Sequence, residues 1–297
     1  MNRHDLTDAE WERLAPLLPA NPRQGGRWAD HRRMINGVFF RVRTTITWRD
    51  LPPCHGNWKT VHNRHRHWSM DGTWGKILDG LRTGCDEAEG EDWTVSVDSA
   101  VVRAHQHAAG ARSAVGRFPV KGDGVDHKTA RGREALGRPR GGLSTKVHLA
   151  ADRRCRLIAR IISPGRHGDS PYFRRVLEGV RIQRRGPGRP RKRPGRVLAD
   201  KAYSSRANRA YLRRRSIKAV IPIKKDQQTN RVKQGSRGGR PPGFDAERYK
   251  ERNTAERCIN KLKGYRAVAL RTDKRERIYQ GTVDIASVRI WLRDPVQ

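Results

Sequence analysis

Cysteine is scarce in this chain of 297 residues: Cys54, Cys85, Cys155 and Cys258 are scattered, with no Cys-x-x-Cys pair. That excludes a disulfide framework and a cysteine-built zinc site, and it fits a reducing cytosol. Long apolar runs are missing too. None approaches the ~18–20 residues of a membrane span, and Met1-Asn2-Arg3-His4-Asp5-Leu6 lacks the apolar stretch of a secretion signal. These absences point to a cytoplasmic protein with no membrane partner. Acidic residues are few, 30 against 65 Lys+Arg, so the formal charge is +35. Like charge in that excess calls for a polyanionic partner, and nucleic acid is the natural one; a GC-rich coding bias toward arginine is the alternative source for part of it. At 35% hydrophobic and 32% charged, the chain can bury a core, but not along its whole length.

Residues 1–88 read as a small all-α, helix-turn-helix-like domain. Thr7-Asp8-Ala9-Glu10 is a capping box, followed by Trp11, Leu14 and Leu18 at helical spacing. A second helix is expected from Asp30 to about Thr44, a third near Thr60–Trp68 and a fourth near Trp74–Leu81. The third carries Lys59, Arg64 and Arg66, candidate DNA contacts of the head. The alternative for this segment is an ordinary helical bundle with solvated arginines. His62, His65 and His67 lack the neighbouring carboxylates or cysteines that a metal site needs.

Residues 89–297 read as α/β with a mixed sheet. Trp93, Val95 and Val97 alternate with Thr94, Ser96 and Asp98, which puts Asp98 at the end of a strand. Strands follow at Ser144–Ala150 and Leu157–Ser163, then a helix after Asp169-Ser170-Pro171 with Tyr172, Val176 and Val180 inward. A short buried strand ends at Asp200; helix Ser205–Arg215 and strand Lys218–Ile223 come next. Open α/β sheets put their chemistry at strand ends, where both aspartates fall. Basic loops interrupt the pattern at 103–142, 183–196 and 224–243. Arg189 and Arg191 lie in a Gly-Arg-Pro stretch suited to a minor groove, or else to a solvated loop.

Asp245 to about Lys263 reads as one helix. With Tyr249 at zero, Arg252 falls near ~300°, Glu256 near ~340° and Lys263 near ~320°. This polar stripe flanks an apolar face of Ala255, Cys258, Ile259 and Leu262. A solvated face could carry such a stripe, but Asp98, Asp200 and Glu256 together make a set of carboxylates able to hold two Mg²⁺ ions for phosphodiester chemistry. Arg252 would grip the scissile phosphate, with Lys263 and Tyr249 beside it.

Tyr249-x2-Arg252-x3-Glu256-x6-Lys263 resembles, at every spacing, the signature of bacterial insertion-sequence transposases of the DDE type, and the whole chain is similar to the insertion-sequence-five family. Val97-Asp98-Ser99 and Ala199-Asp200-Lys201-Ala202-Tyr203 resemble its two aspartate motifs. Gly137–Gly142 with Ser144-Thr145-Lys146 resembles its central block. The resemblance implies an RNase H-like catalytic domain after the helical head, with Asp98, Asp200 and Glu256 as ligands of two Mg²⁺ ions that Mn²⁺ can replace. It implies DNA contacts at Lys146 and Lys201, cleavage at terminal inverted repeats, transfer of 3′-hydroxyl ends into target DNA, and a synaptic complex of at least two protomers at the nucleoid. Thr44-Thr45-Ile46 and Asp152-Arg153-Arg154-Cys155 depart from the family where it usually has a glycine, and Thr254-Ala255 where it has a bulkier residue. The alternatives are a non-catalytic copy that binds inverted repeats as a repressor, and a nuclease that hydrolyses without strand transfer.

Overall fold

The computed structural model describes residues 4–20, 28–111 and 134–295. Helix α1 (Asp8–Leu14) begins at the capping box: the Thr7 hydroxyl accepts from the Glu10 N–H, and the Glu10 carboxylate accepts from the Thr7 N–H. Asp30 caps α2 (His31–Thr44), which buries Ile35, Val38, Phe39 and Val42. Helices α3 (Trp58–Met70) and α4 (Thr73–Leu81) complete the head. The α2 C-cap, Thr45, sits at φ +64°, the left-handed conformation that favours glycine.

The body is a six-stranded mixed sheet. Strand β1 (Thr94–Ala104) is central, α5 (Gln106–Ala109) follows it, and β2 (Ser144–Ala151) and β3 (Leu157–Pro164) form an antiparallel meander beside it. After α6 (Phe173–Glu178), β4 (Arg196–Ala199) pairs parallel to β1; after α7 (Arg206–Arg214), β5 (Lys218–Val220) extends the sheet. The order is β3-β2-β1-β4-β5, the RNase H-like arrangement. Cys155 closes the β2–β3 hairpin at φ +61°, again a glycine-like position.

The remaining elements are α8 (Lys225–Lys233), α9 (Ala246–Tyr249), α10 (Asn253–Lys263), α11 (Arg266–Ala269), β6 (Leu270–Arg271), which pairs with the far end of β1, and α12 (Glu276–Arg293). Helix α12 is buried on all sides from Gly281 to Leu292 and packs on α2, α3 and α4. One hydrophobic core therefore runs from Leu14 and Trp68 in the head through Val97 in the sheet to Trp291.

Several expectations change. Strand β1 continues past Asp98 because β2 pairs with it as far as Arg103, so Asp98 is mid-strand. Phe173 is buried where Tyr172 was expected to be; the tyrosine lies half-exposed against His148. The segment 224–243 is not all loop, since α8 and the 3-10 turn Gly235–Gly238 fill most of it. Of the basic loop at 103–142, residues 112–133 lie outside the described residues.

Candidate active site

Parallel pairing brings the two aspartates together. The last β1–β4 register pair is Val97↔Ala199, so Asp98 and Asp200 are the next residues on adjacent strands. Beyond that point the strands diverge in role. Strand β1 runs on, and the Asp98 Oδ1 accepts the Ser99 N–H at 2.8 Å. Strand β4 stops, and Asp200 caps the 3-10 turn Lys201–Tyr203 through the Lys201 N–H. Each carboxylate is thereby oriented by the backbone amide that follows it.

The third carboxylate comes from α10. Ala255, Cys258 and Leu262 are buried toward the sheet, and the Thr254 hydroxyl donates to Ser96 Oγ at 2.7 Å. This close approach of helix to strand suits the small Thr254-Ala255 pair. Glu256, one residue further round, is left at the cleft. The expected single helix is broken by a 3-10 turn at Lys250–Arg252. At ~120° per residue against ~100° in an α-helix, that turn shifts Tyr249 off the ideal stripe. Tyr249 nonetheless senses the charges of Asp200, Glu256 and Asp98, and burial raises its hydroxyl above the ordinary tyrosine value.

Arg252 ties the arrangement together. Its Nη1 is 3.6 Å from Asp98 Oδ2, and its Nη2 pairs with Glu256 Oε1. Burial raises the Asp98 carboxyl; Ser99 and Arg252 oppose the rise, while Glu256 and Asp200 add to it. Burial pulls Arg252 down, but Glu256, Tyr249 and Asp98 outweigh it and hold the guanidinium above its ordinary value. Three carboxylates thus share one field, partly compensated by one resident cation. Oxygen donors of this kind match a hard divalent ion. Among the described residues no three acidic, histidine or cysteine side chains form a ready metal cage. The donor set fits a divalent ion in kind: Asp98, Asp200 and Glu256 would hold it, and in this structure the Arg252 guanidinium occupies the space between Asp98 and Glu256.

A family model described as "Transposase DDE domain" matches residues 89–284, the sheet and everything that carries these four side chains. The chain belongs to this family. A second model, "Putative transposase of IS4/5 family", matches residues 6–78 of the head. The chain is 34% identical over 121 residues to "Uncharacterized protein y4sN" of Sinorhizobium fredii, covering 40% of this chain and 93% of that protein. It is 32% identical over 151 residues to "Putative transposase for insertion sequence element IS6501" of Brucella ovis, covering 51% of this chain and all of that protein. A solved Mos1 transposase paired-end complex aligns over 91% of this chain and 80% of its own at 12% identity, but its TM-score of 0.27 adds nothing to the fold assignment.

For this DDE transposase chain the remaining candidate contacts divide by burial. Lys201, Lys263, Arg189, Lys59 and Arg66 are exposed. Three others are already engaged. Lys146 reaches Asp169 Oδ1 at 2.9 Å and the His167 carbonyl at 2.8 Å, with 11% of its side chain exposed. Arg191 pairs with Asp86 at 2.9 Å, donates to the Gly90 carbonyl and lies over Trp93. Arg64 is enclosed between Trp28 and Trp68 and bonded to His31. In this structure each of these three side chains already has a partner within the chain.

Asp169 was missed as a site residue. It accepts the Ser99 hydroxyl at 2.7 Å as well as Lys146. Burial raises its carboxyl, but those two bonds outweigh burial and hold it below the ordinary range. In the sequence it reads as a helix-start residue, and no local signal places it beside the first aspartate.

Proposed function

We propose that this chain is the transposase of an insertion sequence. In this reading it binds the terminal inverted repeats, cleaves phosphodiester bonds at Asp98, Asp200 and Glu256, and transfers 3′-hydroxyl ends into target DNA. The observation that supports the reading is that Arg252 meets both Asp98 and Glu256, while Asp200 follows the last register pair on the strand beside Asp98.

Two divalent ions, Mg²⁺ or in its place Mn²⁺, held by the three carboxylates would activate a water or 3′-hydroxyl and neutralise charge on the leaving oxygen. The chain's own side chains supply the rest. Freed from its carboxylates, Arg252 can grip the scissile phosphate through two parallel N–H bonds. Tyr249 keeps its proton, since its hydroxyl is held above the ordinary value, and so remains a hydrogen-bond donor to a flanking phosphate. Lys201 and Lys263 are exposed cations that would meet flanking phosphates, as would Arg189 in the loop closed by the Ile182–Arg191 bridge. In the head, 1–88, Lys59 and Arg66 remain available for duplex DNA, while 89–297 acts as the catalytic unit. Joining two ends at once calls for two protomers on one DNA complex at the nucleoid. No helix among the described residues is long and apolar enough to cross a membrane.

The test is incubation with labelled duplex carrying the DNA that flanks the gene, with Mg²⁺, beside an Asp200→Asn control. Nicking at a defined end followed by joined products, both lost in the control, is the expected result. Binding without cleavage would instead make the protein a repressor of its own element. Cleavage that survives the substitution would remove Asp200 from the site.

A further inference from the structure

His167-Gly168-Asp169-Ser170-Pro171-Tyr172 is a polar run that the proposed chemistry does not use. In the structure it forms one side of a cavity of about 460 Å³, lined by Arg166, His167, Gly168, Pro171, Tyr172 and Arg175. That volume lies within the ~300–1,000 Å³ of ordinary ligand sites. The wall is rigid: Tyr172 stacks on His148 with ring centroids 4.3 Å apart, and His148 is 1% exposed. Tyr172 also carries the Arg175 guanidinium 5.4 Å from its ring centre, and its hydroxyl meets His167 Nδ1 at 2.7 Å.

The charge in this cavity is one-sided. Arg166 and Arg175 are exposed, and among the described residues neither is paired with a carboxylate. The one acid on the rim segment, Asp169, is already neutralised by Lys146. Two uncompensated guanidiniums and an imidazole converging on one cavity recognise a phosphate. The same Asp169, on the segment that forms one wall of the cavity, accepts from Ser99, the residue after Asp98, and so links that segment to the candidate active site.

We propose that Arg166, His167 and Arg175 form a phosphate subsite that holds one backbone phosphate of the DNA beside the cleavage site. The proposal rests on the transposase reading. Arg175 lies over the Tyr172 ring, and Arg166 lines the same cavity. His167 adds a ring N–H when the Tyr172 hydroxyl donates to Nδ1.

The salt dependence of DNA binding tests it. Each phosphate contact contributes about 0.9 to the slope of log K against log salt. Binding of the flanking duplex is measured by fluorescence anisotropy from 50 to 200 mM salt for the wild type, Arg166→Gln, Arg175→Gln and the double variant. Arg174→Gln is the control, because Arg174 on the same helix is paired with Glu178. The double variant is expected to flatten the slope by about 0.9 and each single variant by less, since the arginine that remains still meets the shared phosphate; over that range the double loses about 3.5-fold less affinity than the wild type. An unchanged slope in the double variant overturns the subsite, and a loss near 1.8 overturns the shared phosphate. A wild type whose binding is absent or flat with salt would instead defeat the transposase reading itself. Inorganic phosphate at constant ionic strength separates the other source. If it stabilises the wild type but not the double variant while the DNA slopes agree, the cavity takes free phosphate and the DNA subsite is refuted.

Discussion

Arg252→Gln isolates the role of the guanidinium between Asp98 and Glu256. At 3.6 Å the Arg252–Asp98 attraction is roughly 5 kcal/mol gross at an effective dielectric near 20. Arg252 and Asp98 are one-fifth exposed and Glu256 nearly half, so solvent screening and desolvation reduce the net loss to about 1–2 kcal/mol. At about 2–4 °C per kcal/mol in large domains, the metal-free variant should melt roughly 2–8 °C below the wild type. Mg²⁺ should then close the gap. In the wild type a divalent ion must displace the guanidinium, whereas in the variant it meets carboxylates with no competitor and stabilises them more. Arg252→Lys, which can reach one carboxylate but not bridge two, should fall between. The assay is thermal unfolding with chelator and with millimolar Mg²⁺. Equal melting without metal, or a gap that Mg²⁺ leaves unchanged, would refute the resident-cation reading.

Burial lowers the His148 pKa to about 4, so its contribution to stability is whole above about pH 6.5 and is lost as pH falls toward 4, up to roughly 3 kcal/mol. His148→Phe keeps a ring against Tyr172 without a proton to gain, and its denaturant midpoint should fall less steeply over that window; parallel profiles would contradict this. Thr45, β-branched at φ +64° with its buried hydroxyl unpartnered among the described residues, carries strain of about 1 kcal/mol. Thr45→Gly should raise the urea midpoint, and a fall would show that its contacts outweigh that strain. Gly281 lets α12 approach α3: an added Cβ would lie 2.6 Å from the Ser69 Cβ. Gly281→Ala should therefore destabilise by about 1–3 kcal/mol despite the better helix propensity of alanine, and Ser69→Gly in the same chain should restore the loss.

The elements that were legible in the sequence are those whose signals are local. The Thr7–Glu10 capping box marks a helix start within four residues, and the alternation from Trp93 to Asp98 marks a strand. Thr44-Thr45-Ile46 and Asp152-Arg153-Arg154-Cys155, the two stretches read as lacking the usual glycine, contain Thr45 and Cys155, which adopt left-handed backbone, as do Glu134, Ala135 and Ser216 elsewhere. Helix α12 was not legible, because burial on every side erases the one-sided pattern by which amphipathic helices are recognised. The break at Lys250–Arg252 was not legible either, since nothing in Tyr-Lys-Glu-Arg distinguishes a 3-10 turn from α-helix until α10 docks on β1.

Sequence alone determined which chemistry the chain can carry: three acids in three separate motifs, a helical Tyr-Arg-Glu-Lys stripe and an excess of cations. It determined the elements with local signals too, because capping, alternation and turn chemistry act over a few residues. Tertiary structure decided which of the many cations are free. Lys146, Arg191 and Arg64 look no different in sequence from Lys201, Arg189 and Arg66. They differ because Asp169, Asp86 and a pair of tryptophans reach them from elsewhere in the chain. Burial and pairing are properties of long-range contacts, and so is the register that sets Asp98 beside Asp200.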